Sequence, residues 1–239
     1  RPTARSNGDR PTCVPCYHDD ARRLLDVLAG LDGAASTNFI AYDDGSRDSD
    51  MTASLRAALD GLPGHASLIT ANANHGRAHA RNRLVEAAGT DWILLMDADV
   101  LYDARLLAVF TGEGAADRLA IDTTVGSDDA EAVKVALADD RIVSFDKTLA
   151  ADLAYDRVGE SVGFFRLSPA TADGLLLACE TAHAADSHAP HEQALQALMT
   201  TGEVAFEAID IAGTPWIEVD YPADVDRAMD DILPTLEAL

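Results

Sequence analysis

Two carboxylates that directly follow a short apolar run, Asp97 and Asp99, are the residues best placed for chemistry in this 239-residue sequence. The run Trp92 to Met96 is too short for a helix and predicts a buried, parallel strand. Ligands of open α/β sheets bind beyond the carboxyl ends of the strands. We therefore expect both aspartates in a cleft, where their oxygens suit Mg²⁺ or Mn²⁺. The alternative is a merely solubilised turn, since an isolated D-x-D is common.

The charge balance limits the class of partner. With Lys+Arg 18 against Asp+Glu 41, the formal net charge is −23. Such a charge argues against nucleic acid or an anionic membrane as the main partner. A polyanionic substrate would have to be bound locally, by a metal ion and a few basic groups. We expect no membrane span, no signal peptide and a cytoplasmic protein, because no apolar run approaches the roughly 18 residues that a span needs.

The first hundred residues predict alternating strands and helices, the pattern of a doubly wound, mostly parallel α/β sheet with helices on both faces. The predicted strands are 12–17, 38–42, 66–70 and 92–96, and the predicted helices are 21–31, 49–62 and 76–88.

The pattern changes after Asp103. Two strands joined in hairpin style, 132–137 and 141–145, predict a small additional β-hairpin region. The other predicted elements are helices 104–110, 169–184, 190–201 and 222–233 and strands 119–123, 161–167, 204–211 and 216–219. We expect Pro234 to kink or end the last helix.

The first half resembles the family 2 glycosyltransferases. The residues that carry the resemblance are Val14-Pro-Cys-Tyr17 with Asp19-Asp20, Tyr42-Asp-Asp-Gly-Ser46 with Asp48, Asn74-His-Gly-Arg-Ala-His-Ala-Arg-Asn82 and Met96-Asp-Ala-Asp99. The resemblance implies that Asp43 and Asp44 bind the nucleotide base or ribose, and that Asp97 contributes to nucleotide binding as a second metal ligand or next to one.

The second half resembles nucleotidyltransferases that act on sugar phosphates and alcohol phosphates, above all the cytidylyltransferases for phosphocholine, inositol phosphate or phosphonates. The residues that carry the resemblance are Asp122, Val133-Lys-Val135, Arg141-Ile-Val-Ser-Phe-Asp-Lys147, Gly159-Glu-Ser-Val-Gly-Phe-Phe-Arg-Leu167 and Trp216-Ile-Glu-Val-Asp-Tyr-Pro-Ala-Asp224. This likeness implies that Asp99 and Asp220 hold the metal, that Lys147 binds the acceptor phosphate and that Glu160 binds the acceptor. Both families share the GT-A type fold.

One feature of the nucleotidyltransferases is missing. They open with an apolar strand that runs into a Gly-rich loop, whose backbone N–H groups bind the triphosphate, and no such loop follows a strand here. Either Arg22 and Arg23 or the three arginines Arg77, Arg81 and Arg83 could replace it. Arg77 and Arg81 share a helix face near a predicted N-terminus, where anions are favoured, and with Gly76 they are the predicted nucleotide-binding residues. Plain surface charges are the alternative for these arginines.

The sequence thus predicts one GT-A-like domain over 1–239, with a flexible lead-in (1–11), a nucleotide-binding half (12–103) and an acceptor-binding half (104–239). The expected reaction is Mg²⁺- or Mn²⁺-dependent transfer of NMP from NTP, with CTP favoured, to a small phosphorylated or phosphonate acceptor, with release of pyrophosphate. A family 2 glycosyltransferase that uses a nucleotide-sugar donor and a catalytically inactive binding module are the alternatives. A homodimer is also left open.

Overall fold

The computed structural model describes residues 11–16, 22–30, 34–90, 92–97, 99–111, 116–124, 132–185, 191–201 and 204–237. The predicted lead-in lies outside these residues except for Pro11. The chain divides into two compact units, Arg1–Asp91 and Trp92–Leu239. Asp97 and Asp99 therefore belong to the second unit, although the sequence grouped them with the first half.

The first unit contains a three-stranded parallel sheet with helices on both faces. Its elements are β1 (Pro11–Cys16), α1 (Arg22–Ala29), β2 (Asn38–Asp43), α2 (Ser49–Asp60), β3 (Ala66–Thr70) and α3 (Arg77–Ala88). β2 lies in the middle and pairs in parallel with β1 and β3. The strand and helix alternation predicted for this part of the chain is confirmed.

Side chains of β2 point alternately to the two faces of this sheet. Phe39 and Ala41 belong to one buried cluster with residues of α1 and α2. Tyr42 belongs to a second cluster with Ala80 and Leu84 of α3, and Ile40 packs against it. Because successive side chains of β2 point to opposite faces, this one strand packs against α1 and α2 on one face and against α3 on the other.

The second unit contains a six-stranded sheet and a two-stranded ribbon. Its elements are β4 (Ile93–Met96), β5 (Val100–Tyr102), α4 (Leu106–Thr111), β6 (Asp117–Asp122), β7 (Lys134–Ala138), β8 (Arg141–Asp146), β9 (Arg157–Leu167), α5 (Pro169–Ala185), α6 (His191–Thr200), β10 (Phe206–Asp210), β11 (Trp216–Glu218), α7 (Pro222–Arg227) and α8 (Leu233–Glu237). The strand order is β10-β6-β9-β7-β8, and β4 pairs with β9.

The long strand β9 organises this sheet. It pairs antiparallel with β4, β6 and β7, whereas β10 and β6 are parallel. The predicted hairpin is confirmed, because β7 and β8 pair antiparallel and are joined through Asp139 and Asp140. The α/β class is therefore confirmed, with parallel strands in the first sheet and antiparallel pairs around β9.

Several features of the second unit differ from the sequence pattern. The run 92–96 does form a strand, but the prediction that this strand is parallel is wrong, because β4 pairs antiparallel with β9. β5, which pairs antiparallel with β11, was not predicted. The C-terminal helical run also continues past Pro234, because a π-helical turn at Ala228–Ile232 leads directly into α8. Pro234 therefore lies inside a continuous helical run, directly after the π-helical turn, and does not end the helix. No helix of the described residues is long and apolar enough to cross a membrane.

Candidate active site

Three carboxylates of the second unit converge on one point. Asp99, Glu218 and Asp220 each offer an oxygen, and these oxygens lie within 4.8 Å of one another. Asp99 and Asp220 are far apart in sequence, so their closeness comes from the fold. The sequence predicted this meeting of Asp99 and Asp220; their role as metal ligands stays a prediction.

The ribbon of β5 and β11 places these carboxylates. Glu218 pairs with Val100, the residue after Asp99, and the backbone N–H of Val219 donates to the carbonyl oxygen of Asp99 at 2.8 Å. Glu218 and Asp220 are two positions apart, and an extended chain sends such side chains to one side. Backbone pairing therefore positions three acidic groups on one side of a short ribbon.

The backbone after β11 is held by a fourth acid. The Asp224 carboxylate accepts hydrogen bonds from the backbone N–H groups of Tyr221 and Asp220, at 2.9 and 3.3 Å. Asp224 thereby caps the start of α7 and restricts the position of Asp220. Its own carboxylate is engaged within the chain.

The cluster concentrates negative charge. Burial, followed by the nearby charges of Asp220, Asp99, Asp97 and Glu160, raises the pKa of Glu218 to about 7. Oxygen ligands of this kind suit a hard divalent cation, which would also relieve the repulsion that raises this pKa. The donor set therefore fits a divalent metal.

A pocket of about 320 Å³ opens beside the cluster, and Glu218 and Asp220 form part of its wall. Lys147, which follows β8, contributes a cation to the lining, and the aromatic side chains of Phe145 and Phe165 contribute apolar surface. The remaining lining residues are Asp97, Val133, Ser161, Val162, Gly163, Glu192 and Tyr221. A metal-bound anion in this pocket would lie between acidic and basic groups.

Asp97 lines the pocket and rests against Gly163 of β9. Its backbone N–H donates to the Gly163 carbonyl oxygen at 3.1 Å. Gly163 has a φ of 75°, and a Cβ at this position would lie 2.2 Å from Oδ2 of Asp97. Only glycine fits both this backbone conformation and the close approach of Asp97.

The predicted nucleotide-binding acids of the first unit are buried and hydrogen-bonded. Asp43 and Asp44 are each 2% exposed. Asp43 accepts hydrogen bonds from Ser46 N–H at 2.9 Å and from the Thr52 hydroxyl at 2.8 Å. Both carboxylates therefore hold turns of the protein itself, and a contact of either with a nucleotide stays a prediction.

The loop before α3 is built on Asp44. Its carboxylate accepts hydrogen bonds from Gly76 N–H at 2.7 Å, from His75 N–H at 3.0 Å and from the Asn74 side chain at 3.2 Å. Gly76, with a φ of 89°, precedes α3. Arg77 is the first residue of that helix, and Arg81 follows one turn later and is half-buried. The structure thus joins Asp44 to Gly76, but it does not test phosphate binding by the arginines.

Some residues of the site were not predicted. Glu218, Glu192 and Tyr221 received no role from the sequence, although Glu218 lies two positions from Asp220 in the same motif. Glu160, the predicted acceptor ligand, lies in β9 next to Ser161, and in the described part of the chain it is not among the residues that line this pocket. Its predicted role remains untested.

The fold is that of the GT-A type transferases. The sequence model of glycosyl transferase family 2 matches residues 12–138, more than half of the chain. The chain therefore belongs to glycosyl transferase family 2. No curated protein matches the chain in a sequence search.

Solved structures with the same fold include several nucleotidyltransferases. The inositol-1-phosphate CTP transferase from T. maritima has a TM-score of 0.55 and 15% identity, over 95% of this chain and 96% of that chain. A protein provisionally named glucose-1-phosphate thymidylyltransferase, from Bacillus anthracis in complex with sucrose, has a TM-score of 0.58 and 12% identity, over 92% and 93%. A UDP-glucose pyrophosphorylase complexed with UDP-glucose has a TM-score of 0.53 and 12% identity, over 87% and 92%. These likenesses establish the fold and confirm the predicted GT-A class.

Proposed function

We propose that this protein is a divalent-metal-dependent nucleotidyltransferase that transfers NMP from NTP, preferably CTP, to a small phosphorylated or phosphonate acceptor. An acceptor oxygen attacks the α-phosphorus of the NTP and forms a new P–O bond. The bond from that phosphorus to the bridging oxygen breaks, and pyrophosphate leaves. A bound Mg²⁺ or Mn²⁺ would neutralise charge on the phosphate oxygens.

The observation that carries this proposal is the meeting of Asp99 with Asp220 within 4.8 Å. The resemblance of the segment 216–224 to nucleotidyltransferases implies this pairing. Asp220 has a clear use in this reaction, because it would help to hold the metal ion that neutralises the departing pyrophosphate. Pyrophosphate carries more negative charge at departure than a nucleoside diphosphate does. Phosphoryl and nucleotidyl transfer depend mainly on positioning and charge neutralisation.

Lys147 gives the pocket its acceptor specificity in this proposal. It lies on the same pocket as Asp220 and Glu218 and can bind an anionic oxygen of the acceptor. The cation would then hold the acceptor phosphate, and a metal ion on the acids would hold the NTP phosphates, so that the acceptor oxygen can reach the α-phosphorus. The choice of CTP is supported by the motif resemblance and by the T. maritima structure of this fold, which is named for CTP.

The test identifies the leaving group. The protein is incubated with Mg²⁺ or Mn²⁺, each of the four NTPs, and phosphocholine, inositol phosphate or an aminoalkyl phosphonate. Pyrophosphate is measured through its hydrolysis to phosphate by added pyrophosphatase. We expect release with CTP that requires both an acceptor and the metal.

Glycosyl transfer from a nucleotide-sugar is the second candidate, and the family match over residues 12–138 favours it. This reaction would release a nucleoside diphosphate and no pyrophosphate. A parallel assay with UDP-, GDP- and CDP-sugars measures that product. Nucleoside diphosphate release, together with no pyrophosphate from any NTP, would replace the first proposal by the second.

A further inference from the structure

The cluster of Asp99, Glu218 and Asp220 lies on the short two-stranded ribbon of β5 and β11. β5 and β11 contribute only three residues each, and they pair with one another. A two-stranded ribbon is marginally stable by itself. The direction in which Glu218 and Asp220 point must therefore depend on contacts that fix the ribbon to the rest of the second unit.

One such contact is a partly buried hydrogen bond at the first residue of β11. The indole N–H of Trp216 donates to Oδ2 of Asp122 at 2.8 Å. The other oxygen of Asp122, Oδ1, accepts the backbone N–H and the hydroxyl of Thr124, at 2.8 and 2.6 Å. Asp122 is 4% exposed. A hydrogen bond to a buried carboxylate is stronger than a neutral one, and its loss leaves a buried group unpaired.

Asp122 also connects the ribbon with the pocket. It is the last residue of β6 and pairs with Glu160 of β9, while its neighbour Ile121 pairs with Ser161, which lines the pocket. Trp216 packs beside the cluster that contains Phe164 of β9. One end of the hydrogen bond therefore belongs to the sheet behind the pocket, and the other belongs to the strand that carries Glu218.

We propose that Asp122 is a positioning residue for the metal site, which acts through Trp216 to hold β11, and with it Glu218 and Asp220, in place. This inference rests on the metal site of the proposed function. Residues that orient metal ligands affect metal affinity even though they do not touch the ion.

The test compares metal affinity with stability. Mn²⁺ binding to the full chain is followed by the loss of the free-ion EPR signal in Trp216→Phe, which removes the indole N–H but keeps a ring, and in Asp122→Asn. We expect both variants to bind Mn²⁺ on the order of tenfold more weakly. The indole N–H resonance of Trp216, assigned with Trp92→Phe, should lose its protection from exchange in Asp122→Asn.

Asp117→Asn is the matched control. Asp117 begins β6, is 7% exposed and accepts hydrogen bonds from Thr171 and Ser168, at 2.6 and 2.5 Å. This variant should lower Tm as Asp122→Asn does, yet bind Mn²⁺ like the wild type. The inference is overturned if Asp117→Asn weakens Mn²⁺ binding as much as Asp122→Asn does. It is also overturned if Trp216→Phe binds Mn²⁺ like the wild type while Asp220→Asn binds it more weakly. Wild-type Mn²⁺ binding that Asp220→Asn leaves unchanged instead overturns the metal site of the proposed function, and the inference with it.

Discussion

The backbone N–H of Val219 donates to the carbonyl oxygen of Asp99 at 2.8 Å. In the sequence Val219 stands between Glu218 and Asp220, the two acids that join Asp99 in the cluster. Main-chain pairing, rather than side-chain contact, therefore brings the carboxylates together. Because the backbone fixes the cluster, one carboxylate can be neutralised with little change of shape. Substitutions in the cluster are consequently informative about charge.

We expect Asp220→Asn to reduce pyrophosphate release from CTP plus acceptor by on the order of 10²-fold or more, because a charge that positions the metal on the reacting phosphates contributes several kcal/mol to the rate. Binding of free nucleoside, which offers no phosphate to the metal, should barely change. Steady-state rates at saturating metal provide the measurement.

Asp226→Asn is the control for this prediction. Asp226 is an exposed acid of α7 that follows Asp220 closely in sequence, and it is not part of the cluster. Its neutralisation changes the net charge by the same amount and should leave the rate unchanged. Full activity of Asp220→Asn would contradict the nucleotidyltransferase proposal.

Metal affinity should depend on pH near neutrality. The pKa of Glu218 is raised to about 7, first by burial and then by nearby carboxylates, Asp220 foremost, so below this pH a proton occupies the group that a cation would bind. A metal ion must displace that proton, and apparent Mn²⁺ affinity should rise with pH up to about 7 and then level off. In Glu218→Gln the affinity should be lower at pH 8, and this rise should be absent. Titrations from pH 5.5 to 8.5 check both expectations.

The same shift predicts a pH-dependent stability of the metal-free protein. A carboxyl whose pKa is higher in the folded than in the unfolded state favours folding at low pH, and this contribution is lost as pH rises through the folded value, here about 7. Metal-free Glu218→Gln should therefore melt above the wild type at pH 8, and the difference should shrink by pH 5. Glu180→Gln, a change of an exposed acid in α5, should show no such trend.

The fold of the first unit was predictable because its elements are long and their apolar periods are clear. β5 escaped prediction because Val100–Tyr102 is three residues long and owes its strand conformation to a partner more than a hundred residues away. The start of β9 at Arg157 was also missed. Gly159 and Gly163 interrupt the apolar alternation there, and glycine in a strand carries no side chain to reveal it.

The site divides in a similar way. Asp99 and Asp220 were predictable because each follows a strand within a motif of known use. Glu192 was not, since it reaches the pocket from α6 through tertiary packing alone. Asp43 and Asp44 show the opposite limit, because a sequence pattern does not distinguish an acid that caps a turn from one that contacts a ligand.

The hairpin between β7 and β8 offers a change that should stabilise the protein. Asp139 and Asp140 have φ values of 50° and 60°, as in a turn that favours glycine at its second position. Asp140→Gly should add roughly 0.5 kcal/mol to the free energy of unfolding, because glycine adopts this positive φ without strain. The substitution also removes an ion pair with Arg157, but this costs little because the Asp140 carboxylate is 90% exposed. Urea denaturation measures the change. Asp152→Gly, in a turn without a positive φ, should give no gain.

Gly163 should be irreplaceable because of what it touches as well as its conformation. Gly163 and Gly213 have similar φ values, 75° and 81°, but a Cβ on Gly213 would meet no atom within 4 Å, whereas a Cβ on Gly163 would lie 2.2 Å from Oδ2 of Asp97. Gly213→Ala should cost about 1 kcal/mol through backbone strain alone. Gly163→Ala should cost more and should also slow pyrophosphate release, since Asp97 must leave its place in the pocket.

The double variant separates the two effects. With Asp97→Ala the two carboxylate atoms nearest to the new methyl group are gone and only Cβ, at 3.1 Å, remains, so Gly163→Ala in this background should cost less than in the wild type, but still more than Gly213→Ala. Urea denaturation of the four variants measures the coupling between positions 97 and 163. If Gly163→Ala costs the same with and without Asp97, and pyrophosphate release is normal in the single variant, then contact with Gly163 does not hold Asp97 in the pocket.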